Sequence, residues 1–132
     1  MKKILIVEDD TSLYKMYVTE LELRKYNVVW VNSGDKACES AKKESPDLIL
    51  LDIMLPQVDG LSILKGLKDS ENTKNIPVFM LTNFGEEENV KRALETGAED
   101  FILKYKIVPS ELGDRIDEFF GIKKEGIVIN QG

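Results

Sequence analysis

Residues 48–51, with the sequence LILL, form an uninterrupted apolar run that ends directly in the carboxylate of Asp52. Such a run is typical of a strand buried on both faces, as in a parallel sheet covered by helices. Pro and Asp-Gly in residues 53–60 favour a loop after it. We therefore expect Asp52 at the edge of an α/β sheet, where open sheets of this kind bind their ligands.

Four further strand-like runs alternate with segments of helical periodicity along the chain. Five strands that alternate with five helices predict the α/β class, as a doubly wound parallel sheet with helices on both faces. The predicted strands are 3–7, 28–31, 48–51, 78–81 and 100–103, and the predicted helices are 11–25, 33–44, 61–69, 86–96 and 109–120.

Local signals define the ends of these helices and their inward faces. Asp10 or Thr11 can cap the first helix, Gly97 ends the fourth, and Pro109 suits the first turn of the last. Gly60 is interpreted as a turn residue that leads into the third helix. The residues expected to face inward include Leu13, Met16, Tyr17 and Leu21 in the first helix and Leu112, Ile116 and Phe119 in the last.

The chain length of 132 residues fits one domain that can bury a core without disulfides. We assign residues 1–121 to that domain and 122–132 to a tail, which the sequence leaves open between disorder and pairing. No apolar run has the length of a membrane span, and no signal peptide is recognisable. With a single cysteine, Cys38, these features predict a reducing, cytoplasmic location.

Charge and composition exclude several functions. A net charge of −6 and a pI near 4.8 argue against a nucleic-acid-binding surface, which needs clustered Lys and Arg. The chain contains no histidine, so acid–base catalysis or metal ligation by histidine is excluded.

Polar residues stand at the ends of the first, third, fourth and fifth predicted strands. Because parallel strands end at the same edge of a sheet, these residues should share one pocket, although each alone also fits a helix cap or a solvated strand end. Grouped carboxylates repel and favour a hard divalent cation such as Mg²⁺, and a carboxylate can accept a phosphoryl group. We predict that Asp52 is the acceptor and that Thr82 and Lys104 contact the phosphoryl oxygens. The full set is Glu8, Asp9, Asp52, Thr82 and Lys104.

Over about residues 2–120 the sequence resembles the receiver domain of bacterial two-component response regulators, the CheY-like family. The segments that carry the resemblance are 4–10 (ILIVEDD), 46–56 (PDLILLDIMLP), 59–60 (DG), 77–82 (PVFMLT) and 97–104 (GAEDFILK). The resemblance implies the flavodoxin-like strand order 2-1-3-4-5.

The same resemblance implies specific roles at the pocket. Asp52 would take a phosphoryl group from a phosphohistidine on a sensor histidine kinase or phosphotransfer protein. Asp9 and Asp52 would hold Mg²⁺ directly, Glu8 would act largely through water, and the Met54 main-chain carbonyl would complete the protein ligands. No organic cofactor is implied, and the chain would catalyse only its own phosphorylation and dephosphorylation.

The resemblance also implies how the signal leaves the domain. Thr82 would move toward the phosphate and Phe101 would serve as the switch aromatic. The signalling surface would comprise the helix 86–96, the strand 100–103 and the helix 109–120, and dimerisation through it is left open. Two positions depart from the family pattern: Tyr105 follows Lys104 in place of proline, and Asn83 stands where a small residue is usual.

Three other functions are compatible with parts of this pattern. A haloacid-dehalogenase phosphohydrolase would carry its nucleophile on the first strand, and a flavodoxin-like cofactor binder would need Gly, Ser or Thr in the first loop, which is acidic here. An interaction module that does not accept phosphate is the stronger alternative. Because little sequence follows residue 120, we expect output through a downstream protein and no direct DNA binding; an origin in a larger regulator is left open.

Overall fold

The computed structural model describes residues 1–55, 58–83 and 87–122, with the main chain alone at Tyr105. The apolar runs form strands as predicted: β1 (Lys3–Val7), β2 (Asn27–Val31), β3 (Leu48–Leu51), β4 (Val78–Thr82) and β5 (Asp100–Leu103). All neighbouring strands are parallel, and their order is β2-β1-β3-β4-β5. The predicted doubly wound sheet is confirmed.

The helices in the described part of the chain are α1 (Thr11–Leu23), α2 (Ala37–Glu44), α3 (Gly60–Asp69), α4 (Glu87–Thr96) and α5 (Pro109–Phe119). Their bounds differ from the predicted ones by a few residues, and a 3₁₀ turn, Gly34–Lys36, precedes α2. The predicted first residue of the fourth helix, Glu86, and the tail 123–132 lie outside the described residues.

Alternate residues of β3 enter two hydrophobic clusters, one on each face of the sheet. Leu48 and Leu50 pack with residues of α1 and α5, whereas Ile49 and Leu51 pack with residues of α2, α3 and α4. Because successive side chains of a strand point to opposite faces, a strand between two helical layers must be apolar throughout. This explains the uninterrupted LILL sequence and places the end of β3 at the rim.

Two residues predicted to face inward do not. Met16 in α1 is 49% exposed, because the buried stripe of that helix follows Tyr17 and Leu21, four residues apart. Phe119 in α5 is 38% exposed, and its ring forms a T-shaped pair with that of Phe79, with 5.2 Å between centroids. These two predictions are wrong, whereas the burial of Tyr17, Leu21, Leu112 and Ile116 is confirmed.

A polar network joins the end of α1 to α5 on the face opposite α3. The Arg24 guanidinium donates to Glu20 at 2.7 Å, to Asp114 at 3.0 Å and to Asp117 at 2.7 Å. The Tyr26 hydroxyl donates to the other oxygen of the buried Asp117 at 2.6 Å. Burial, together with this hydrogen bond and the charge of Asp117, raises the pKa of Tyr26 well above its ordinary value of 10.0.

Replacing Tyr26 with Phe is expected to lower the free energy of unfolding by about 1 to 3 kcal/mol near neutral pH, because a hydrogen bond to a buried carboxylate is lost. The raised pKa adds a pH dependence. Below about pH 10 the stabilisation is fully present, and it declines at higher pH because the unfolded tyrosine ionises first. Urea unfolding of both proteins between pH 7 and the alkaline range measures this difference, and a difference that grows above pH 10 would contradict it.

Candidate functional site

The carboxyl ends of four neighbouring strands converge at one rim, because the sheet is parallel. Glu8 follows β1, Asp52 follows β3, Thr82 ends β4 and Lys104 follows β5. The exposed fractions are 2% for Glu8, 6% for Asp52 and 0% for Thr82, and that of the Lys104 side chain is 6%. These four predicted site residues are together and shielded from solvent.

Lys104 lies between the two buried carboxylates. Its ammonium donates to Glu8 Oε1 at 2.5 Å and to Asp52 Oδ2 at 2.8 Å. Burial acts to lower the pKa of Lys104, but the hydrogen bonds and charges of Asp52 and Glu8 outweigh burial and raise it above 10.5. Burial raises the pKa of Glu8, and the contact with Lys104 opposes that rise. The ammonium therefore stays charged and partly neutralises the carboxylates around it.

The loop after β3 fixes the second oxygen of Asp52. The Met54 main-chain N–H donates to Asp52 Oδ1 at 3.1 Å, and Met54 pairs with Asp59 in an antiparallel bridge. The Asp59 side chain in turn caps α3 by accepting from the Leu61 N–H at 3.1 Å. Both oxygens of Asp52 are therefore held. Residues 56–57 of this loop lie outside the described residues.

The sequence suggested that Gly60 serves a turn, but in the structure the absence of a side chain lets Gly60 pack against the backbone of Asp52 and Ile53. A Cβ atom at Gly60 would lie 2.0 Å from the Asp52 carbonyl oxygen and 2.6 Å from the Ile53 Cα. Its φ angle is not in the left-handed region, so the residue is required by close packing rather than by an unusual turn. The backbone of α3 therefore rests directly on the residue that carries the buried carboxylate.

Three carboxylates at the rim are arranged as a group that could hold a metal ion. One oxygen from each of Glu8, Asp9 and Asp52 lies within 4.8 Å of the others. Asp9 is exposed, unlike the other two. Hard oxygen donors with one side open to water suit Mg²⁺, which keeps several water ligands. The donor set therefore fits the predicted metal.

The predicted switch residues lie on β4 and β5, on the opposite side of β3 from β1. Thr82 pairs in register with Leu103, and Phe101 pairs with Met80. Phe101 is half-buried and packs against the hydrophobic cluster that includes residues of α2, α3 and α4. Asn83 is exposed, and residues 104–106 form a 3₁₀ turn. The Tyr105 side chain lies outside the described residues.

The sequence interpretation missed one side chain that contacts the site. The Trp30 indole donates to the Glu8 main-chain carbonyl at 2.8 Å. A tryptophan near the end of β2 gives no motif, so spacing alone could not have found this contact. It becomes visible once β2 is placed beside β1.

A family comparison accounts for this geometry. The family described as the response regulator receiver domain matches residues 4–117. The chain belongs to this family. It is a CheY-like receiver domain of two-component response regulators, and the acidic group fits a Mg²⁺-dependent phosphoacceptor.

Similar proteins support the assignment of this receiver domain. The phosphate regulon transcriptional regulatory protein PhoB of Escherichia coli K12 is 44% identical over 115 residues, 87% of this chain and 50% of PhoB. The polar-differentiation response regulator DivK of Brucella ovis is 38% identical over 108 residues, 82% of this chain and 88% of DivK. The chain thus spans about half the length of PhoB and most of DivK.

A solved structure shares the receiver fold at lower identity. The receiver domain of the sensor histidine kinase PA1611 from Pseudomonas aeruginosa PAO1 has a TM-score of 0.80 and 28% identity, and the match covers 91% of this chain and 98% of that domain. That structure contains a magnesium ion coordinated in the active-site cleft. Within residues 1–55, 58–83 and 87–122 of the present chain, no helix is long and apolar enough to cross a membrane.

Proposed function

We propose that Asp52 accepts a phosphoryl group from a phosphohistidine on a sensor histidine kinase or phosphotransfer protein, in a Mg²⁺-dependent reaction. The observation that supports this most directly is the position of Asp52: a buried carboxylate held at both oxygens, beside two further acids and one ammonium group. A buried structural ion pair does not need a third, exposed carboxylate directed at the same point.

Glu8, Asp9, Asp52 and the Met54 main-chain carbonyl are the proposed Mg²⁺ ligands, with Glu8 acting largely through water. When bound, Mg²⁺ neutralises the phosphoryl oxygens and orients them toward Asp52. The magnesium ion in the related PA1611 receiver domain supports the choice of metal.

In the proposed reaction an Asp52 carboxylate oxygen forms a bond to phosphorus while the phosphorus–nitrogen bond of the phosphohistidine breaks. The imidazole leaves with the electron pair of that bond. Lys104, now paired with Glu8 and Asp52, is placed to exchange one of these contacts for a phosphoryl oxygen. The Thr82 hydroxyl would donate to another oxygen, and the same groups serve the hydrolysis that restores Asp52.

Output would follow the movement of Thr82 and Phe101 and use the surface formed by α4, β5 and α5. We propose a downstream protein as the partner of this surface, or a second copy of the chain in a dimer. The domain limits, residues 1–121 with a tail at 122–132, are part of this proposal, while the absence of direct DNA binding and a cytoplasmic location stay predictions from the sequence.

The reaction can be tested by intact-mass measurement after incubation with a small phosphodonor, with and without Mg²⁺. A mass increase of one phosphoryl group that requires Mg²⁺ is expected. If no adduct forms under either condition, the phosphoacceptor function is wrong and an interaction module that does not accept phosphate remains.

Saturating Mg²⁺ is expected to stabilise the folded protein, because the carboxylates of Glu8, Asp9 and Asp52 lie close together only in the folded state. At a concentration 100 times the Kd the gain in unfolding free energy should be about 2.7 kcal/mol. Urea unfolding at constant ionic strength measures this gain. Asp9→Asn is the matched variant, since Asp9 is exposed and its loss should affect the Mg²⁺-free protein little; an equal gain in that variant would exclude Asp9 as a ligand.

A further inference from the structure

Glu8 is held at every polar atom. Its main-chain N–H donates to the Val31 carbonyl at 3.1 Å, Oε1 accepts from Lys104, and Oε2 accepts from the Asp10 N–H at 3.1 Å. The remaining atom, the carbonyl oxygen, accepts from the Trp30 indole at 2.8 Å. The Glu8 carbonyl belongs to the peptide unit that leads to Asp9. The direction of this carbonyl therefore sets the path of residues 8–10, the acidic loop between β1 and α1.

The Trp30 ring is itself fixed in orientation. It lies against the ring of Tyr14 in α1, with 4.1 Å between centroids and 9° between planes. The Tyr14 N–H donates to the Asp10 carbonyl at 3.0 Å, at the start of the same helix. The stack therefore joins β2 to the first turn of α1, and the acidic loop lies between these two elements.

Asp9 depends on its neighbours for its position. Glu8 is bound on one side of it, and on the other Asp10 caps α1 by accepting from the Leu13 N–H at 3.1 Å. No hydrogen bond of the Asp9 side chain is found within the described part of the chain, and the residue is exposed. Its carboxylate reaches the group formed with Glu8 and Asp52 because both adjoining peptide units are held.

We propose that Trp30 is a positioning residue for the divalent-cation site: its indole N–H holds the Glu8 carbonyl and so directs Glu8 and Asp9 toward the metal. Tyr14 assists by fixing the plane of the indole. The inference rests on the proposed Mg²⁺ site and adds a residue of the edge strand that does not touch the metal.

The sequence contains a single tryptophan, so replacing tryptophan throughout the protein changes Trp30 alone. Biosynthetic incorporation of 3-benzothienylalanine substitutes sulfur for the indole N–H and keeps the size of the ring. Isothermal titration calorimetry should then give a Mg²⁺ affinity about tenfold weaker than that of the natural protein. This is the lower end of the loss that follows removal of a hydrogen-bond partner of a metal ligand. Protein with 5-fluorotryptophan, which retains the N–H, should bind Mg²⁺ as the natural protein does.

Two variants separate positioning from a general loss of stability. Trp30→Phe keeps an aromatic ring stacked on Tyr14 but removes the indole N–H, so it should weaken Mg²⁺ binding to a similar extent. This variant replaces the sulfur analogue in the test if the analogue does not fold. Tyr26→Phe also removes a buried hydrogen bond, but beyond the opposite end of β2, and should leave the affinity unchanged.

The outcomes are distinct. Natural protein that shows no Mg²⁺ binding would overturn the proposed metal site and this inference with it. If the natural protein binds Mg²⁺ and the protein without the indole N–H binds equally well, only the role of Trp30 is wrong. An equal loss of affinity in Tyr26→Phe would assign the effect to stability and also overturn the role of Trp30.

Discussion

Replacing Asp52 with Asn is expected to abolish the phosphoryl adduct completely, in the presence of Mg²⁺ and a small phosphodonor. The neutral amide is a poor nucleophile toward phosphorus and forms no acyl phosphate. Asparagine has nearly the same size, and its oxygen can still accept from the Met54 N–H, so the loop after β3 should keep its course. Intact mass, recorded over time beside the natural protein, measures the result.

Asp59→Asn provides the matched control for Asp52→Asn. Asp59 is exposed on the same loop, and its side chain caps α3 through the Leu61 N–H, a role that asparagine fills equally well. This variant removes the same charge nearby and should form the full adduct. An adduct of equal extent in Asp52→Asn would show that phosphate enters at another residue and would contradict the assignment of Asp52.

Gly60→Ala is expected to have the largest effect on stability, a decrease in unfolding free energy of about 3 to 5 kcal/mol. The added methyl group would lie 2.0 Å from the Asp52 carbonyl oxygen, and neither backbone can move without displacing β3 or α3. Phosphorylation should fall as well, because the same displacement moves the Asp52 carboxylate. Urea unfolding and intact mass measure the two effects.

Gly66→Ala is the control for this substitution, within the same helix. A Cβ atom there would lie 3.5 Å from the Cys38 sulfur, an ordinary contact, and Gly66 is exposed. Because alanine favours the helix over glycine, this variant should gain about 0.5 to 1 kcal/mol. Similar losses at both positions would mean that general helix packing, and not the contact with Asp52, explains the result at Gly60.

The sheet and most of its rim could be predicted from sequence because strong local signals agree there with the global fold. A strand between two helical layers must be apolar on both faces, so LILL identified β3, and the following Asp52 had to lie at the rim. The same reasoning placed Glu8, Thr82 and Lys104 beside it. Their proposed roles in phosphoryl transfer were inferred from the chemistry of grouped carboxylates beside a hydroxyl and an ammonium, and the family resemblance added the phosphohistidine donor.

The errors arose where a side chain depends on contacts between elements. Met16 has a residue type and spacing that suit a buried face, but the rotation of α1 on the sheet exposes it. Gly60 gives the same sequence signal whether it serves a turn or a close contact. Trp30 approaches Glu8 only through the pairing of β2 with β1, which no local pattern encodes.

The Lys104 ammonium between Glu8 and Asp52 is a counterion for both carboxylates, and Lys104 directly follows β5 in the chain. The acidic residues can therefore assemble during folding without a metal. A cation or a phosphoryl group that competes for Glu8 or Asp52 must replace an ion pair made by a side chain that is attached at the end of β5. If Mg²⁺ at the pocket and a partner at β5 favour the same arrangement of Lys104, each raises the affinity of the protein for the other by the same factor.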